Sequence, residues 1–227
     1  SGLLLLVMLA FTLAVNTNPI GFSKNALFRV KTPEIILEVS GQLAWAGDDT
    51  YYNYHKGNLK KIQQSGRAIW NTTLEGQLLW MGPEGIINSR GNSICMLDEN
   101  GEPIFEKADF LEELRILYVQ KQYLLLSGKL RGTEYATLIN ESGNVIWQVP
   151  LEGSLISGSV HPKGIYAALN LIDDKAMSRM VVIGPTGEIL WNEAPSTLMY
   201  QVKAVNEGIG AIVADRVFLM DYKGQRL

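Results

Sequence analysis

The sequence predicts an all-β fold made of about five similar four-stranded units. One short phrase returns along the chain: a glycine in a polar turn, then a brief β-rich run that ends in an aromatic residue. Its instances are residues 66–70, 101–105, 143–147, 187–191 and a clipped 224–227. Successive glycines lie 35, 42, 44 and 37 residues apart, close to the roughly 40 residues of one propeller blade. This period predicts a β-propeller of about five blades, either complete or a fragment of a seven- or eight-bladed one.

Each period contains the signals of three strands and a returning fourth. First strands are predicted at residues 35–39, 77–81, 114–119, 155–160 and 199–205. Second strands are predicted at residues 42–46, 86–88, 123–127, 165–170 and 209–214. Third strands are predicted at residues 58–63, 93–98, 135–140, 180–184 and 217–221. The glycine phrase then supplies a hairpin turn and the fourth strand.

The composition of the turns and strands supports this assignment. A glycine at the end of the signature turn supplies the positive φ that a tight hairpin needs. Several strands are apolar on consecutive residues, as at 124–126 and 181–183, which is typical of strands buried on both faces. A β-sandwich is the alternative all-β fold, but it requires no forty-residue repeat with an aromatic residue at a fixed offset.

Composition and charge exclude several classes of function. The chain has 227 residues, is 47% hydrophobic and carries a formal charge of −3, so it can bury a substantial core. It has no cluster of lysines and arginines, so no nucleic-acid partner is expected. Cys95 is the single cysteine, which leaves no intrachain disulfide and no cysteine-based metal site.

The N-terminus is a separate segment. Residues 3–15 form an apolar run in which only Thr12 is polar, and residues 16–19 stop any helix. The run is shorter than the ~20 residues that span a bilayer, but it has the length of a signal-peptide apolar region. A buried core helix is the alternative. We predict an apolar helix acting as signal peptide or membrane anchor over residues 1–22, with the propeller (23–227) in the cell envelope or secreted.

Residues 26–30 match the second half of the repeated phrase. Phe28 takes the aromatic place and precedes Trp70 by 42 residues, which is one period. The repeats therefore open with the last strand of a blade whose other strands come from elsewhere. Propellers close in this way by joining an N-terminal strand to a C-terminal blade, so that no sheet edge stays open.

Residues 98–105 and 140–147 carry a resemblance to a known family. An Asp or Asn, a short turn, a glycine and an apolar pair before an aromatic residue resemble the repeats of PQQ-like (quinoprotein-type) propellers, over residues 26–227. The resemblance implies that the repeat aromatics pack between neighbouring blades. These residues are Phe28, Trp70, Phe105, Trp147 and Trp191. Such repeats specify a fold and only weakly a function.

The resembled family contains enzymes and scaffolds. Its quinone-dependent oxidoreductases hold their cofactor with an adjacent-cysteine disulfide or a basic lid, and with calcium bound by acidic residues, in eight-bladed sheets. Cys95 has no neighbouring cysteine, so the resemblance favours the non-catalytic branch, which includes the outer-membrane assembly lipoprotein. We expect a protein-binding scaffold without cofactor. The alternatives are an oxidoreductase-like domain or a domain that senses a small ligand.

No residue pattern predicts a catalytic or metal site. His55 and His161 lie in unrelated repeats without a second ligand at metal spacing. The pairs Asp48–Asp49 and Asp173–Asp174 could supply an acid and a base, but neighbouring strand residues point opposite ways, so solvated loop charges are favoured.

The loops between second and third strands are the predicted partner-binding rim. In a propeller they lie on the same side as the connections between blades, and here they vary most, at residues 47–57, 127–134 and 171–179. Their candidate residues are Asp48, Asp49, Tyr51, Tyr52, Tyr54, Lys129, Arg131, Asp173, Asp174 and Lys175. Alternatively, the three tyrosines form an irregular strand and pack on the first blade. The expected partner is a protein or a cell-envelope component.

Overall fold

The computed structural model describes residues 40–227 except residues 165, 174, 195–196 and 214–215. These residues belong to the second of two compact units, residues 36–227. The predicted N-terminal helix, the strand around Phe28 and the first strand at 35–39 lie outside the described residues. Among those described, no helix is long and apolar enough to cross a bilayer.

The described residues form five antiparallel sheets, in which each strand pairs with the next along the chain. The first sheet contains β1 (Gln42–Gly47), β2 (Thr50–His55), β3 (Asn58–Gln63) and β4 (Ala68–Thr73). The second contains β5 (Gln77–Gly82), β6 (Gly85–Arg90), β7 (Ser93–Leu97) and β8 (Pro103–Lys107). The third contains β9 (Glu112–Gln120), β10 (Tyr123–Leu130), β11 (Thr133–Asn140) and β12 (Val145–Pro150). The fourth contains β13 (Ser154–Val160), β14 (Ala167–Ile172), β15 (Ser178–Ile183) and β16 (Ile189–Glu193). The fifth contains β17 (Met199–Val205), β18 (Gly208–Val213) and β19 (Val217–Met220).

The predicted strand at 42–46 and the predicted loop at 47–57 of the first sheet need correction. We predicted residues 42–46 as a second strand and 47–57 as a loop, but β1 is the first strand and β2 occupies most of that loop. Two tight turns enclose β2, one at Asp48–Asp49 and one at Lys56–Gly57. All four turn residues, and Gly47 before them, have a positive φ, between 41° and 99°. Two-residue hairpin turns of the primed type require positive φ. Asp48, Asp49 and Lys56 adopt a positive φ here, whereas glycine is the residue type that usually predicts a positive φ from sequence.

The predicted loop at 127–134 is also a hairpin. β10 continues to Leu130 and β11 begins at Thr133, and the turn between them is Arg131–Gly132 with φ of 51° and 82°. The predicted loop at 171–179 is shorter, since β14 ends at Ile172 and β15 begins at Ser178. Only this last turn is an extended loop between second and third strands in the first four sheets.

The five sheets stack face to face in chain order. Their first strands β1, β5, β9, β13 and β17 contact one another in succession. An apolar cluster fills each of the four spaces between neighbouring sheets. Second strands such as β6 and β14 are buried on both faces, as their continuous apolar sequence predicts. This is the arrangement of propeller blades.

A contact between an aromatic residue and a glycine joins each sheet to the next. The aromatic residue of the fourth strand lies against the glycine of the following signature turn. The four pairs are Trp70 with Gly101, Phe105 with Gly143, Trp147 with Gly187 and Trp191 with Gly224. A methyl group added to Gly143 would lie 2.6 Å from Cγ of Phe105, and one added to Gly187 would lie 2.9 Å from Cβ of Trp147. At Gly143 and Gly187, no residue with a Cβ fits without displacing the aromatic side chain, whereas at Gly101 and Gly224 the ring would lie at an ordinary contact distance of 3.5 and 3.4 Å from the added methyl group.

The signature turns share one hydrogen-bond pattern. The N–H of each signature glycine donates to the carbonyl three residues earlier, at 2.9–3.2 Å, and each of the five has φ between 78° and 93°. Where the turn begins with Asp98, Asn140 or Asp221, the side-chain Oδ1 accepts the backbone N–H groups two and four residues later. The Asp or Asn of the repeat therefore stabilises the turn that presents the glycine.

The fifth sheet has three strands instead of the four predicted. Beyond its signature turn, Arg226 forms an isolated bridge with Met220, and the N–H of Leu227 donates to the carbonyl of Leu219 at 3.0 Å. The incomplete repeat at 224–227 thus pairs with β19, as a fourth strand would, only at Arg226 and Leu227.

The aromatic-to-glycine contact predicts a difference between two glycine substitutions. Gly143 and Gly132 have similar φ, 78° and 82°, but nothing lies within 4 Å of a methyl group added to Gly132. We expect Gly132→Ala to lower the free energy of unfolding by about 1 kcal/mol through backbone strain. Gly143→Ala should cost about 1–3 kcal/mol more, because Phe105 must move. Urea denaturation followed by tryptophan fluorescence measures both. Equal losses would show that Phe105 gives way freely.

Candidate functional site

The turns divide between two edges of the stacked sheets. We call one the connection edge: it carries the turns between second and third strands and the connections between sheets. Three backbone hydrogen bonds join these two kinds of segment, from Leu74 to Gly57, from Phe110 to Asn92 and from Leu151 to Glu134. The other edge carries the signature turns and the turns after the first strands, and we call it the glycine edge. There the N–H of Gln64 donates to the carbonyl of Asp49 at 3.1 Å.

The structure does not bring the predicted rim residues together. Four lie at the connection edge or in strands that end there: Lys129, Arg131, Asp173 and Lys175. Asp48 and Asp49 form the turn after the first strand and lie at the glycine edge. Tyr51, Tyr52 and Tyr54 lie in β2, the arrangement of the alternative interpretation, and Asp174 lies outside the described residues.

Tyr52 is a packing residue. It is fully buried between the first two sheets, with its ring centroid 6.0 Å from that of Trp70 and 5.9 Å from the Lys61 amine. Burial, with a smaller contribution from the Glu99 carboxylate, raises the pKa of Tyr52 to about 12. Lys61 in turn approaches the Glu99 carboxylate at 3.5 Å. The first predicted loop therefore contributes to the core between two sheets.

A projecting hairpin distinguishes the third sheet. β10 and β11 are each eight residues long, whereas the second and third strands of the other sheets have four to six residues. We call residues 128–134 the projecting hairpin. Leu130 near its tip is 41% exposed, and Arg131 in the turn is also exposed. The hairpin thus presents an apolar and a cationic side chain at the connection edge.

A β-bulge fixes the base of this hairpin. Ser127 pairs with Arg115 and Lys129 pairs with Glu112, so two residues of β9, Glu113 and Leu114, lie opposite Gly128. Glu113 has a φ of 51°. A methyl group on Gly128 would lie 2.8 Å from the Glu112 carbonyl oxygen, so the strands approach too closely here for any side chain. Bulges redirect side chains and are frequent beside functional sites.

Two ion pairs hold the hairpin over a cleft. The Lys129 amine lies 2.6 Å from the Glu113 carboxylate, and the guanidinium of Arg115 donates to the carboxylate of Glu134. The charged cleft has a volume of about 470 Å³. Its lining residues are Gln77, Glu113, Leu114, Arg115, Gly128, Lys129, Glu134 and Ser154. Since Gln77 and Ser154 begin β5 and β13, the cleft lies where three neighbouring first strands start.

The chemistry of the charged cleft is that of a binding surface. Both carboxylates face a cation, and such partly exposed pairs exchange readily with charged groups of a ligand because each is worth little in water. Gln77 and Ser154 add neutral hydrogen-bonding groups. Within the described part of the chain, no group of three or more His, Cys, Asp or Glu residues is placed to hold a metal ion.

His161 lies at the glycine edge between the fourth and fifth sheets. It is buried, its Nδ1 accepts the backbone N–H of Lys163 at 3.0 Å, and its ring meets those of Tyr166 and Tyr222 edge-on at 6.1 and 5.5 Å. The two tyrosine rings stack at 4.2 Å. Burial, and then the Lys163 charge, lower the pKa of His161, while a backbone hydrogen bond with Asn206 and the Glu207 carboxylate oppose the shift.

Sequence reasoning identified Lys129 and Arg131 but missed the rest of the charged cleft. Arg115, Glu113 and Glu134 carry no motif, because they meet only through the bulge and the pairing of β9, β10 and β11. It considered His161 only as a metal ligand and did not detect its burial. A count of eight β-compatible residues on either side of Arg131–Gly132 is the signal that could have revealed the long hairpin.

Comparisons with known proteins support the fold. No family model and no curated protein sequence matches the chain. Among solved structures, the chain is similar to the WD40 domain of Neurospora crassa Pan2, at 13% identity over 83% of this chain and 65% of that one, with a TM-score of 0.50. It is also similar to the dihydro-heme d1 dehydrogenase NirN in complex with DHE, at 17% identity over 82% and 46%, with a TM-score of 0.54. BamB from Moraxella catarrhalis matches at 15% identity over 83% and 75%, with a TM-score of 0.41.

The two likenesses with TM-scores of 0.50 and 0.54 confirm the fold and leave the activity open. WD40 domains are β-propellers, and the chain spans less than two thirds of the Pan2 domain and about half of NirN. The neighbours thus include a WD40 propeller, which agrees with the propeller fold that the sequence repeat predicts. One of them is named as an enzyme, so the shared fold alone assigns no reaction.

The environment of His161 predicts how stability depends on pH. Because its folded pKa lies below the ordinary 6.5, the unfolded chain binds a proton more readily than the folded one as the pH falls below 6.5. The free energy of unfolding therefore falls as the pH is lowered from 7 towards 5. We expect His161→Gln to reduce this dependence, while His55→Gln, which retains His161, keeps it. Urea titrations at several pH values measure the slopes, and an unchanged slope in His161→Gln would contradict the assignment.

Proposed function

We propose that this chain is a non-catalytic scaffold that binds a protein at its connection edge. The projecting hairpin and the charged cleft beneath it form the docking site. The single observation that carries the proposal is the hairpin itself, whose strands are at least two residues longer than the second and third strands of the other described sheets and which is fastened at its base by a bulge and two ion pairs.

The hairpin offers a partner a preformed contact. A rigid binding element loses little conformational entropy on association, and strands of a sheet hold side chains more precisely than a flexible loop does. Leu130 supplies apolar area, and Arg131 is of a residue type enriched at interfaces. The Lys129 amine beside them lies at the rim, where charges mainly set the rate and orientation of docking.

The charged cleft favours a partner that carries both signs of charge. A partner carboxylate beside Arg115 and Lys129 and a partner amine beside Glu113 and Glu134 give each of the four groups an opposite charge, so no charge is left unpaired on binding. A purely apolar partner would bury these four groups without giving them new contacts, which is costly. We therefore infer a polar protein surface rather than a hydrophobic peptide as the ligand.

The cellular place of the scaffold is part of the proposal. We infer that the apolar run at residues 3–15 anchors the chain to a membrane or directs its export, so that the propeller works outside the cytoplasm. The support is the length and position of the run in the sequence. A fusion of residues 1–39 to alkaline phosphatase, which is active only after export, tests this inference.

Site-specific crosslinking tests the docking site. A photoreactive benzoylphenylalanine in place of Leu130 should crosslink to a discrete protein in the producing cells, whereas the same residue in place of Lys121, at the glycine edge, should not. Arg131→Glu should lower the yield at position 130 at least about fivefold, the effect of losing about 1 kcal/mol. Lys121→Glu is the matched charge control.

Two outcomes would contradict the proposal. Equal crosslinking from positions 130 and 121 would show that the connection edge has no preference for a partner. A yield unaffected by Arg131→Glu would remove the hairpin from the interface. Urea denaturation of Arg131→Glu and Lys121→Glu verifies that each substitution leaves the fold intact. We expect this result because both residues are exposed and lie in turns.

A further inference from the structure

A groove opens between the third and fourth sheets, with Val149 of β12 and Ile189 of β16 among its lining residues. It has a volume of about 180 Å³, and we call it the apolar groove. Leu171 and Val181 also line it and are buried, so they form its floor, whereas Ile189 is 53% exposed and lies at its mouth. The apolar groove shares no lining residue with the charged cleft, so it is a separate site.

The corresponding space between the fourth and fifth sheets is almost filled, with a volume of about 20 Å³. Phe218 precedes the start of its signature turn by three residues, as Val181 does in the fourth sheet. Arg226 follows its signature glycine by two residues, as Ile189 does. The guanidinium of Arg226 lies 5.0 Å from the centroid of the Phe218 ring. The apolar groove is therefore present because smaller residues, Val181 and Ile189, take these two places.

The size of the apolar groove suits a single side chain of a ligand. An engineered protein cavity of roughly 150 Å³, lined by apolar residues, takes up benzene. The groove, at about 180 Å³, therefore accepts a branched aliphatic group, whose transfer from water is favourable. Such a group gives Leu171 and Val181 dispersion contacts like those that Phe218 makes in the cluster between the fourth and fifth sheets.

A cation lies at the rim of the apolar groove. Arg179 lines the groove, and its guanidinium lies 3.5 Å from the Glu152 carboxylate. The Glu152 side chain is 91% exposed and that of Arg179 is 32% exposed, so this pair is held weakly in water. A ligand carboxylate can replace Glu152 and accept two parallel hydrogen bonds from the guanidinium. Asn192, which also lines the groove, adds a neutral amide.

The outer edge of β16 favours a peptide over a small molecule as the ligand. Among the described residues, β16 pairs only with β15, so its other edge can pair with a strand of a partner. Alternate side chains of an added strand point to the face of the sheet on which Ile189 lies. One of these side chains can therefore enter the apolar groove.

We propose that the apolar groove binds an extended segment of a partner protein, in which a leucine-sized aliphatic side chain and a carboxylate lie two residues apart. The segment pairs with the edge of β16, so both side chains point to the same face. The aliphatic side chain enters the groove, and the carboxylate pairs with Arg179. This site is additional to the docking site at the projecting hairpin, and neither site requires the other.

Three matched peptides test the site in the full chain. The probe is acetyl-Thr-Leu-Thr-Glu-Thr-amide, and its analogues carry alanine for the leucine or glutamine for the glutamate. In protein with ¹³C-labelled methyl groups, the probe should shift the resonances of Val181 and Ile189 saturably. The alanine analogue should bind at least about tenfold more weakly, and the glutamine analogue about threefold more weakly. An absence of saturable shifts at these two residues, or equal binding of the alanine analogue, would overturn the proposal.

Variants of the protein locate the two contacts. Val181→Phe should fill the groove, as Phe218 fills the next space, and abolish binding of the probe. Val217→Phe is the same change at an exposed position of β19 and should leave binding unchanged. Arg179→Gln should remove the preference for the glutamate peptide over the glutamine peptide. Urea denaturation verifies that each variant folds. Should Val181→Phe fail to fold, the Arg179→Gln comparison still decides, since an unchanged preference contradicts the site.

4-Methylpentanoate distinguishes a peptide site from a site for small carboxylic acids. It carries the leucine side chain and a carboxylate but no peptide backbone. We expect it to bind at least about tenfold more weakly than the probe peptide, and to leave the amide resonances of residues 189–193 unshifted. Equal affinity of the acid and the peptide would show that β16 accepts no strand, and would overturn the assignment of a peptide partner.

Discussion

The contact between an aromatic ring and a glycine is the constraint on which the rest of this structure depends. The signature turn needs a positive φ, which favours glycine, and at Gly143 and Gly187 the ring of the preceding sheet also occupies the place of a side chain. Trp70 and Trp191 add a hydrogen bond from the indole N–H to a carbonyl of that same turn, at 3.0 and 2.9 Å. Each sheet is thereby placed by the one before it.

This constraint assigns different tasks to the two edges. The glycine edge contains the ring contacts, the buried Lys61 beside Glu99 and the His161 cluster, and all of these join one sheet to another. Substitutions there disturb the stacking. Among the described residues of the connection edge, the repeated contact is a backbone hydrogen bond between a hairpin and a connection. Such a bond does not require a particular side chain, so the hairpins there can differ in length. The projecting hairpin lies where the architecture tolerates it.

The sequence predicted the parts of the fold that repeat and missed the parts that do not. The forty-residue period located every described fourth strand, because the glycine and the aromatic residue are fixed by backbone conformation and packing. It left β2 open between a loop and an irregular strand, because Asp48, Asp49 and Lys56 adopt a positive φ that their residue types do not reveal. It also missed the charged cleft. The bulge at Glu113 depends on the close approach of Gly128 in the neighbouring strand, and the cleft residues meet only through pairing across three strands, so no local sequence pattern reveals them.

The succession of sheet contacts has a consequence for how the chain folds. Since each first strand touches the next in order, stability is distributed as a sum of nearest-neighbour terms, much as in a linear array of repeats. Folding can then nucleate at whichever interface forms fastest and spread in both directions. The fourth and fifth sheets, in which β17 packs on both β13 and β14, would then gain protection from hydrogen exchange together.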